Sequence, residues 1–327
     1  MRSWLVFIFL TIQLSASAED TTKYSLYRDR VVLFGDVGFN AAPFWLYGDF
    51  NNGVSTLRYK HNLKAVAGLG IMYKWLSLRI GFGIPGNLRP QEKFGTSKYL
   101  DLGFSFSTKR VFWDFDFRNY SGYVIKNAKD FDTTYNEVSP HAILPNTRAV
   151  SASMNAWYFF SDDVKMPAIF GKRGHYEGEV KSWYLKNTLN YHGVGNDSTT
   201  ILLPSLIDST NTKTSANSIS AVDIGVIPGY VYVNRINNIQ FSVFTGVGAV
   251  VQSKFYRSGS VSRGFLGLAP RIDLRFIAGY SKPGWFAWFV SDFDIKSIQH
   301  QDLFYNQFFY SLKLVAGVRL KTKKSTL

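Results

Sequence analysis

Residues 76–84 read LSLRIGFGI. Leu76, Leu78, Ile80, Phe82 and Ile84 alternate with Ser77, Arg79, Gly81 and Gly83. A period of two puts the five apolar side chains on one face of a strand and the arginine, between glycines, on the other. Two architectures accept such a ribbon. A soluble sheet turns the apolar face into its core, and a membrane barrel turns it out to lipid.

The same alternation recurs over 31–40, 61–74, 75–84, 97–108, 110–122, 148–160, 176–191, 219–232, 238–253, 264–280, 285–296 and 304–321. These are about twelve segments, each near or above the 9–11 residues a tilted strand needs to cross a bilayer. Strands of soluble sheets average only five or six residues. The connections alternate in length. Short turns are expected at Tyr73-Lys74-Trp75, Thr108-Lys109-Arg110, Asn234 to Asn237 and Ser281-Lys282-Pro283-Gly284. Long links are expected over 41–60, 85–96, 123–147, 192–218, 254–263 and 297–303, where Gly, Asn, Asp, Ser, Thr and Pro are frequent. Outer-membrane barrels show this asymmetry, with tight periplasmic turns, long outer loops and an even strand number that leaves both termini periplasmic. Residues 161–175, with Pro167 and Gly171, break the pattern. They are expected to form either a small periplasmic excursion or a segment directed into the lumen.

One parity of the clearest segments is apolar, as in Leu100, Leu102, Phe104 and Phe106, or Ile272, Leu274, Phe276 and Ala278, and 176–191 alternates least. The opposite parity is charged or glycine. It supplies the candidate lumen residues Lys64, Arg79, Asp101, Asp114, Asp116, Arg118, Asp223, Arg271, Asp273, Arg275, Asp292, Asp294, Lys313 and Arg319. Both signs are present, so pairing across neighbouring strands is expected, and strong selection between anions and cations is not. Aromatics gather beside the short turns: Trp75, Trp113, Tyr158, Phe160, Tyr230, Tyr232 and Trp285. That placement matches an interfacial girdle and, with the strand lengths, favours the lipid-facing solution.

The amino terminus agrees with export. Arg2, the apolar run Trp4–Ile12 and Ala16-Ser17-Ala18 have the order of a cleaved signal peptide over residues 1–18. Residues 19–327 are then a single barrel domain ending in a basic tail over 322–327. The chain has no cysteine, which excludes disulfides and thiol chemistry. Aromatics make up 17% of it, yet mean hydropathy is −0.06, as alternating strands require. The formal charge of +14 is scattered, so contact with an anionic membrane surface fits it better than nucleic acid.

Catalytic and metal motifs are absent. His61, His141, His192 and His300 fall near the outer side, and Ser205, Asp208 and Ser209 lie in a loop, but no nucleophile motif frames them. The histidines are far apart in sequence, with no His-x-x-x-His pair. No catalytic residue, metal site or cofactor is expected.

The runs HNLKAVAGLGIMYKWLSLRIGFGI, GTSKYLDLGFSFSTKRVFWDFDFRNYSGYVI and IPGYVYV resemble domain-of-unknown-function family 4421, outer-membrane β-barrels of Bacteroidota, over nearly the whole mature chain. The resemblance implies a Gram-negative outer-membrane barrel and brings no activity with it. The carboxyl end, VRLKTKKSTL, departs from barrels that finish on an aromatic residue. The expectation is an all-β, transmembrane, antiparallel up-and-down barrel of about twelve strands. Its role would be structural or partner-binding, with a salt-bridged lumen. The alternatives are a passive channel for small polar solutes and, behind it, an outer-membrane hydrolase. Expected partners are outer-membrane lipid and the barrel-assembly machinery, with an unidentified protein or small polar solute beside them.

Overall fold

The computed structural model describes residues 23–322 except 109–110, 198, 209 and 212. The expected signal peptide, the turn residues Lys109 and Arg110, Ser209, and the tail beyond 322 lie outside the described residues.

Among the described residues sixteen strands follow one another: β1 (Tyr24–Leu26), β2 (Arg30–Ala41), β3 (Phe44–Tyr47), β4 (Thr56–His61), β5 (Ala65–Tyr73), β6 (Leu76–Gly83), β7 (Lys98–Ser107), β8 (Val111–Ile125), β9 (Ala142–Phe159), β10 (Gly174–Tyr176), β11 (Val180–Asn196), β12 (Ser218–Ile236), β13 (Ile239–Ser258), β14 (Val261–Ser281), β15 (Trp285–His300) and β16 (Leu303–Lys321). Twelve of them close an antiparallel ring in the order β2-β5-β6-β7-β8-β9-β11-β12-β13-β14-β15-β16, and β16 returns to β2. Closure leaves no free sheet edge around the middle of the wall.

Burial along the strands is inverted relative to a soluble sheet. Leu69, Ile224, Val247 and Leu314 are 62%, 62%, 66% and 62% exposed, while Asp223 and Arg271 are 0% and 3% exposed. The apolar parity of LSLRIGFGI therefore faces outward and Arg79 faces the interior. A belt of exposed apolar side chains around a closed ring with an ionic interior is the signature of a transmembrane barrel. No helix among the described residues is long and apolar enough to cross a membrane.

Several expectations need correction. Residues 41–60 are not a plain loop: β3 and β4 form a hairpin that pairs with the first half of β16 on one side and the end of β8 on the other. The hairpin spans the gap above the short strands β5, β6 and β7, which have 9, 8 and 10 residues. The links expected over 254–263 and 297–303 are tight turns at Gly259-Ser260 and Gln301-Asp302, because strand pairing continues past the apolar band to Ser258↔Val261 and His300↔Leu303. Lys64 lies in the link before β5, its aliphatic stem laid over Gly83.

One joint in the wall is a backbone ladder over only part of its length. β14 pairs with β15 only from Ile272↔Ile295 to Ser281↔Phe286, so residues 261–271 have no partner on that side. Side chains take the place of the missing ladder. Arg271 donates to the Ile295 carbonyl at 3.0 Å, Gln252 to Ser297 at 2.9 Å and Lys254 to Gln299 at 2.8 Å. The three carbonyls alternate along β15, as an edge facing one way requires.

Candidate functional site

The interior has three layers. At the end carrying the short turns and the termini, residues 161–176 enter the ring. Of the two expectations for this segment, the lumen-directed one is what the fold contains. A single helical turn, α1 (Met166–Ile169), and β10 pack Val164, Met166, Ala168, Ile169 and Tyr176 against inward Trp157, Phe244, Phe286 and Trp288 from the wall. Burying such aromatic and aliphatic surface favours the inserted state by about 25 cal/mol per Å².

Polar anchors fix the insert. Gln240, fully buried, accepts from the Tyr176 N–H at 2.9 Å and donates to the Ala168 and Ile169 carbonyls at 3.1 and 3.2 Å. Arg319 donates to the Lys172 carbonyl at 2.8 Å, to Ser281 Oγ at 2.9 Å and to the Gly171 carbonyl. Arg319, a candidate lumen residue by parity, thus clamps the insert. β1 then pairs with β10 and covers it.

His175, on β10, accepts or donates with Tyr27 Oη at 3.0 Å and faces Glu177 at 2.9 Å. Burial, with Arg235 nearby, holds its pKa below the usual 6.5 despite Glu177. The neutral ring is therefore the form the folded state prefers. Stability from this contact is complete above pH 6.5 and declines as pH falls below it, because the unfolded chain then binds the proton first. Protection factors of the amides over residues 23–29, corrected for intrinsic exchange, should fall between pH 7 and about 5. A His175→Gln variant should lose that fall.

The middle layer is ionic. Arg79 bridges Asp36 at 2.7 Å and Asp101 at 2.6 Å, and Lys313 reaches Asp101 at 3.3 Å from across the ring. Lys186 pairs with Asp273 at 3.2 Å, Lys296 with Asp294 at 3.5 Å, and Arg118 with Asp116 at 3.6 Å. Arg275 pairs with Asp292 and Arg271 with Asp223. Asp114 accepts from Trp157 Nε1 at 2.6 Å. Pairing across neighbouring strands, the sequence expectation, describes Arg275–Asp292 and Arg79–Asp101. The others lie on one strand or reach further. Asp36 and Arg79 meet over β5, where a Cβ at Gly68 would lie 2.5 Å from the carboxylate and 2.6 Å from the guanidinium. Glycine on the intervening strand opens that line of contact.

Asp36, Lys186 and Lys296 belong to this layer and were missed. Asp36 shares its parity with Gly38 in a mostly apolar strand, Lys186 sits in the segment with the weakest alternation, and Lys296 closes its segment. Lys296 also donates to Ser151 Oγ at 2.5 Å and Asn190 Oδ1 at 3.1 Å, from the opposite wall.

The third layer seals the loop end. Phe44 stacks on Tyr59 at 4.3 Å, and Ile201, Leu202, Leu203 and Leu206 of the 197–217 link fold in against them. Tyr59 Oη donates to the Ile201 carbonyl at 2.8 Å, and Tyr123 Oη to Ala42 at 3.1 Å.

The histidines do not converge. His61 stacks on Tyr123, His141 approaches the Lys126 carbonyl at 3.1 Å, and His300 packs between Tyr256 and Phe265. His192 is fully buried beside Asn190 and Asp223. Ser205 and Asp208 sit in the 197–217 link with none of these rings, and no cluster of metal-binding type occurs among the described residues. Trp75 and Trp285 are exposed, and Trp113, Tyr158, Tyr230 and Tyr232 half-buried, all on the outward parity near the turn end. Trp183, 5.2 Å from Tyr230, joins them. It was missed because the strand carrying it gives the weakest pattern.

No curated protein matches the chain. Similar solved structures include the outer membrane protease OmpT from Escherichia coli, 8% identical over 90% of this chain and 98% of that one, with a TM-score of 0.39. The translocator domain of the autotransporter NalP from Neisseria meningitidis is 11% identical over 89% and 88%, at 0.43. An outer membrane channel from Pseudomonas putida F1 is 12% identical over 92% and 99%, at 0.39. The sequence profile of one family matches residues 43–320, from the β3–β4 hairpin to the end of β16. The chain belongs to that family, described as domain of unknown function (DUF4421).

Proposed function

We propose that the protein is a closed barrel of the bacterial outer membrane, with its termini in the periplasm, whose lumen is structural and whose partners act at its ends. The observation that carries this reading is the order of the interior. An ionic layer is sandwiched between an apolar insert at one end and an apolar cap at the other. A solute path needs a continuous wet route, and buried ion pairs with apolar lids provide none. Trp75, Trp113, Tyr158, Tyr230, Tyr232 and Trp285 would mark one headgroup level. On this reading the lipid belt and the assembly machinery are its partners.

Conductance tests it. Protein folded into a planar bilayer should show no stepwise current in moderate salt. Reproducible unitary steps from the unmodified protein would overturn the closed reading in favour of a channel.

A further inference from the structure

We propose that the barrel holds one phospholipid at its turn end, with the phosphate in a basic pocket beside the insert and the acyl chains in an apolar concavity on the outer wall. The proposal rests on the membrane placement above.

Two cavities, one at the turns and one on the wall beside them, motivate it. The first, of about 660 Å³, lies between β1, the insert and the turns that end β5 and β7. Its lining includes Arg28, Lys74, Lys165 and Arg173 and no acidic residue. Arg173 is the decisive group. It is only 4% exposed, its Nη2 donates to the Leu76 carbonyl at 3.2 Å, and its Nε has no partner. It has no carboxylate partner among the described residues, and Arg28 is the charge that acts on it. Burial and that like charge push its guanidinium down to about 10. A buried guanidinium without an anion is costly, and a phosphate oxygen supplies the missing charge and acceptors.

The second cavity, of about 990 Å³, is on the outside of the wall over β5 to β12. Barrel exteriors are ordinarily convex. Here the wall dips inward where glycines such as Gly68, Gly70, Gly81 and Gly103 line its inner side. Phe34 and Arg79 reach into the space those glycines leave. Ile71, Leu78, Ile80, Leu102, Phe104 and Phe115 line the outer concavity.

The two cavities share no lining residue but come within three residues of each other along β5 and along β6. Ile71 precedes Lys74 by three residues, and Leu78 follows Trp75 by three. Three strand residues span about 10 Å, the reach of a glycerol backbone between phosphate and chains. Trp75, 58% exposed, stands between them at the level where amphipathic rings meet headgroups. Cationic pocket, interfacial aromatic and apolar trough occur in the order of a lipid's own parts.

Native mass spectrometry of the mature chain in a neutral detergent, titrated with dimyristoylphosphatidylglycerol, reads this directly. One retained lipid is expected. Arg28→Gln, an exposed change that leaves the fold intact, should weaken binding several-fold, and Arg28→Gln with Arg173→Gln at least tenfold. Leu78→Ala with Phe104→Ala should weaken it through the chains alone. Equal affinity in the Arg28→Gln and double-arginine variants would overturn the proposal. So would full displacement by millimolar inorganic phosphate with no effect of Leu78→Ala and Phe104→Ala, which would leave a phosphate pocket without a lipid. Heat-dependent electrophoretic migration of each sample reports the folded barrel separately. A chain that stays dissolved without detergent would sink the membrane reading itself, and a folded barrel that retains no lipid would sink only this proposal.

Discussion

Arg79→Leu is expected to lower the unfolding free energy by about 3–5 kcal/mol, read from urea titrations of the barrel in detergent micelles by tryptophan fluorescence. Arg79 is the sole ion-pair partner of Asp36 among the described residues, at 2.7 Å, and the Asp36 side chain is 1% exposed. Asp101 suffers less, because it keeps Lys313 at 3.3 Å and the Tyr99 hydroxyl at 2.7 Å. The loss is therefore mainly one orphaned carboxylate, whose desolvation outweighs the apolar contact a leucine could add. Adding Asp36→Asn to Arg79→Leu should recover about 1–2 kcal/mol, since the orphan is then neutral. If Arg79→Leu alone unfolds at the unmodified midpoint, the ionic layer contributes nothing and the account of the interior fails.

Gly171→Val should be nearly as damaging, at about 2–5 kcal/mol, through two independent costs. Gly171 has φ of +61°, where a β-branched residue is strained. Its Cβ would also lie 1.7 Å from the Trp288 ring, which the insert covers. The protein has a way to relieve both: the insert can leave the ring. The variant should then keep its wall while residues 161–176 become protease-sensitive. Limited trypsin digestion, cutting at Lys165, Lys172 or Arg173, distinguishes this from global unfolding. A fully resistant Gly171→Val barrel would show that the insert does not pack as described.

The wall was legible in the sequence and the ends were not. Period-two alternation is a local signal, and each ring strand needs only that signal to choose its face. The apolar run in LSLRIGFGI settles its own orientation once lipid is the solvent. The insert follows another rule. Val164, Met166, Ala168 and Ile169 have no strand period, and what they bury against, Trp157, Phe244 and Trp288, comes from three distant strands. Phe44, Leu46, Leu57 and Tyr59 carry strand alternation, but as a hairpin too short to cross a membrane they read as loop. Parity named candidate lumen residues one by one and passed over Asp36, Lys186 and Lys296. Parity did not name their partners, because whether Asp36 meets Arg79 depends on Gly68, directly opposite Asp36 on a third strand, and no one-dimensional pattern records that.

The laced joint between β14 and β15 bears on how this molecule breathes. At the other joints, widening the ring means breaking a backbone ladder, interrupted only briefly at Ile227-Pro228 and at the Ser121–Tyr123 bulge. Beyond Ile272 it means releasing three flexible tethers from Gln252, Lys254 and Arg271, each able to let go and rebind without shifting register. Thermal fluctuations in girth should therefore concentrate there, and the end of the cylinder away from the termini can flex like a clasp while its waist stays rigid.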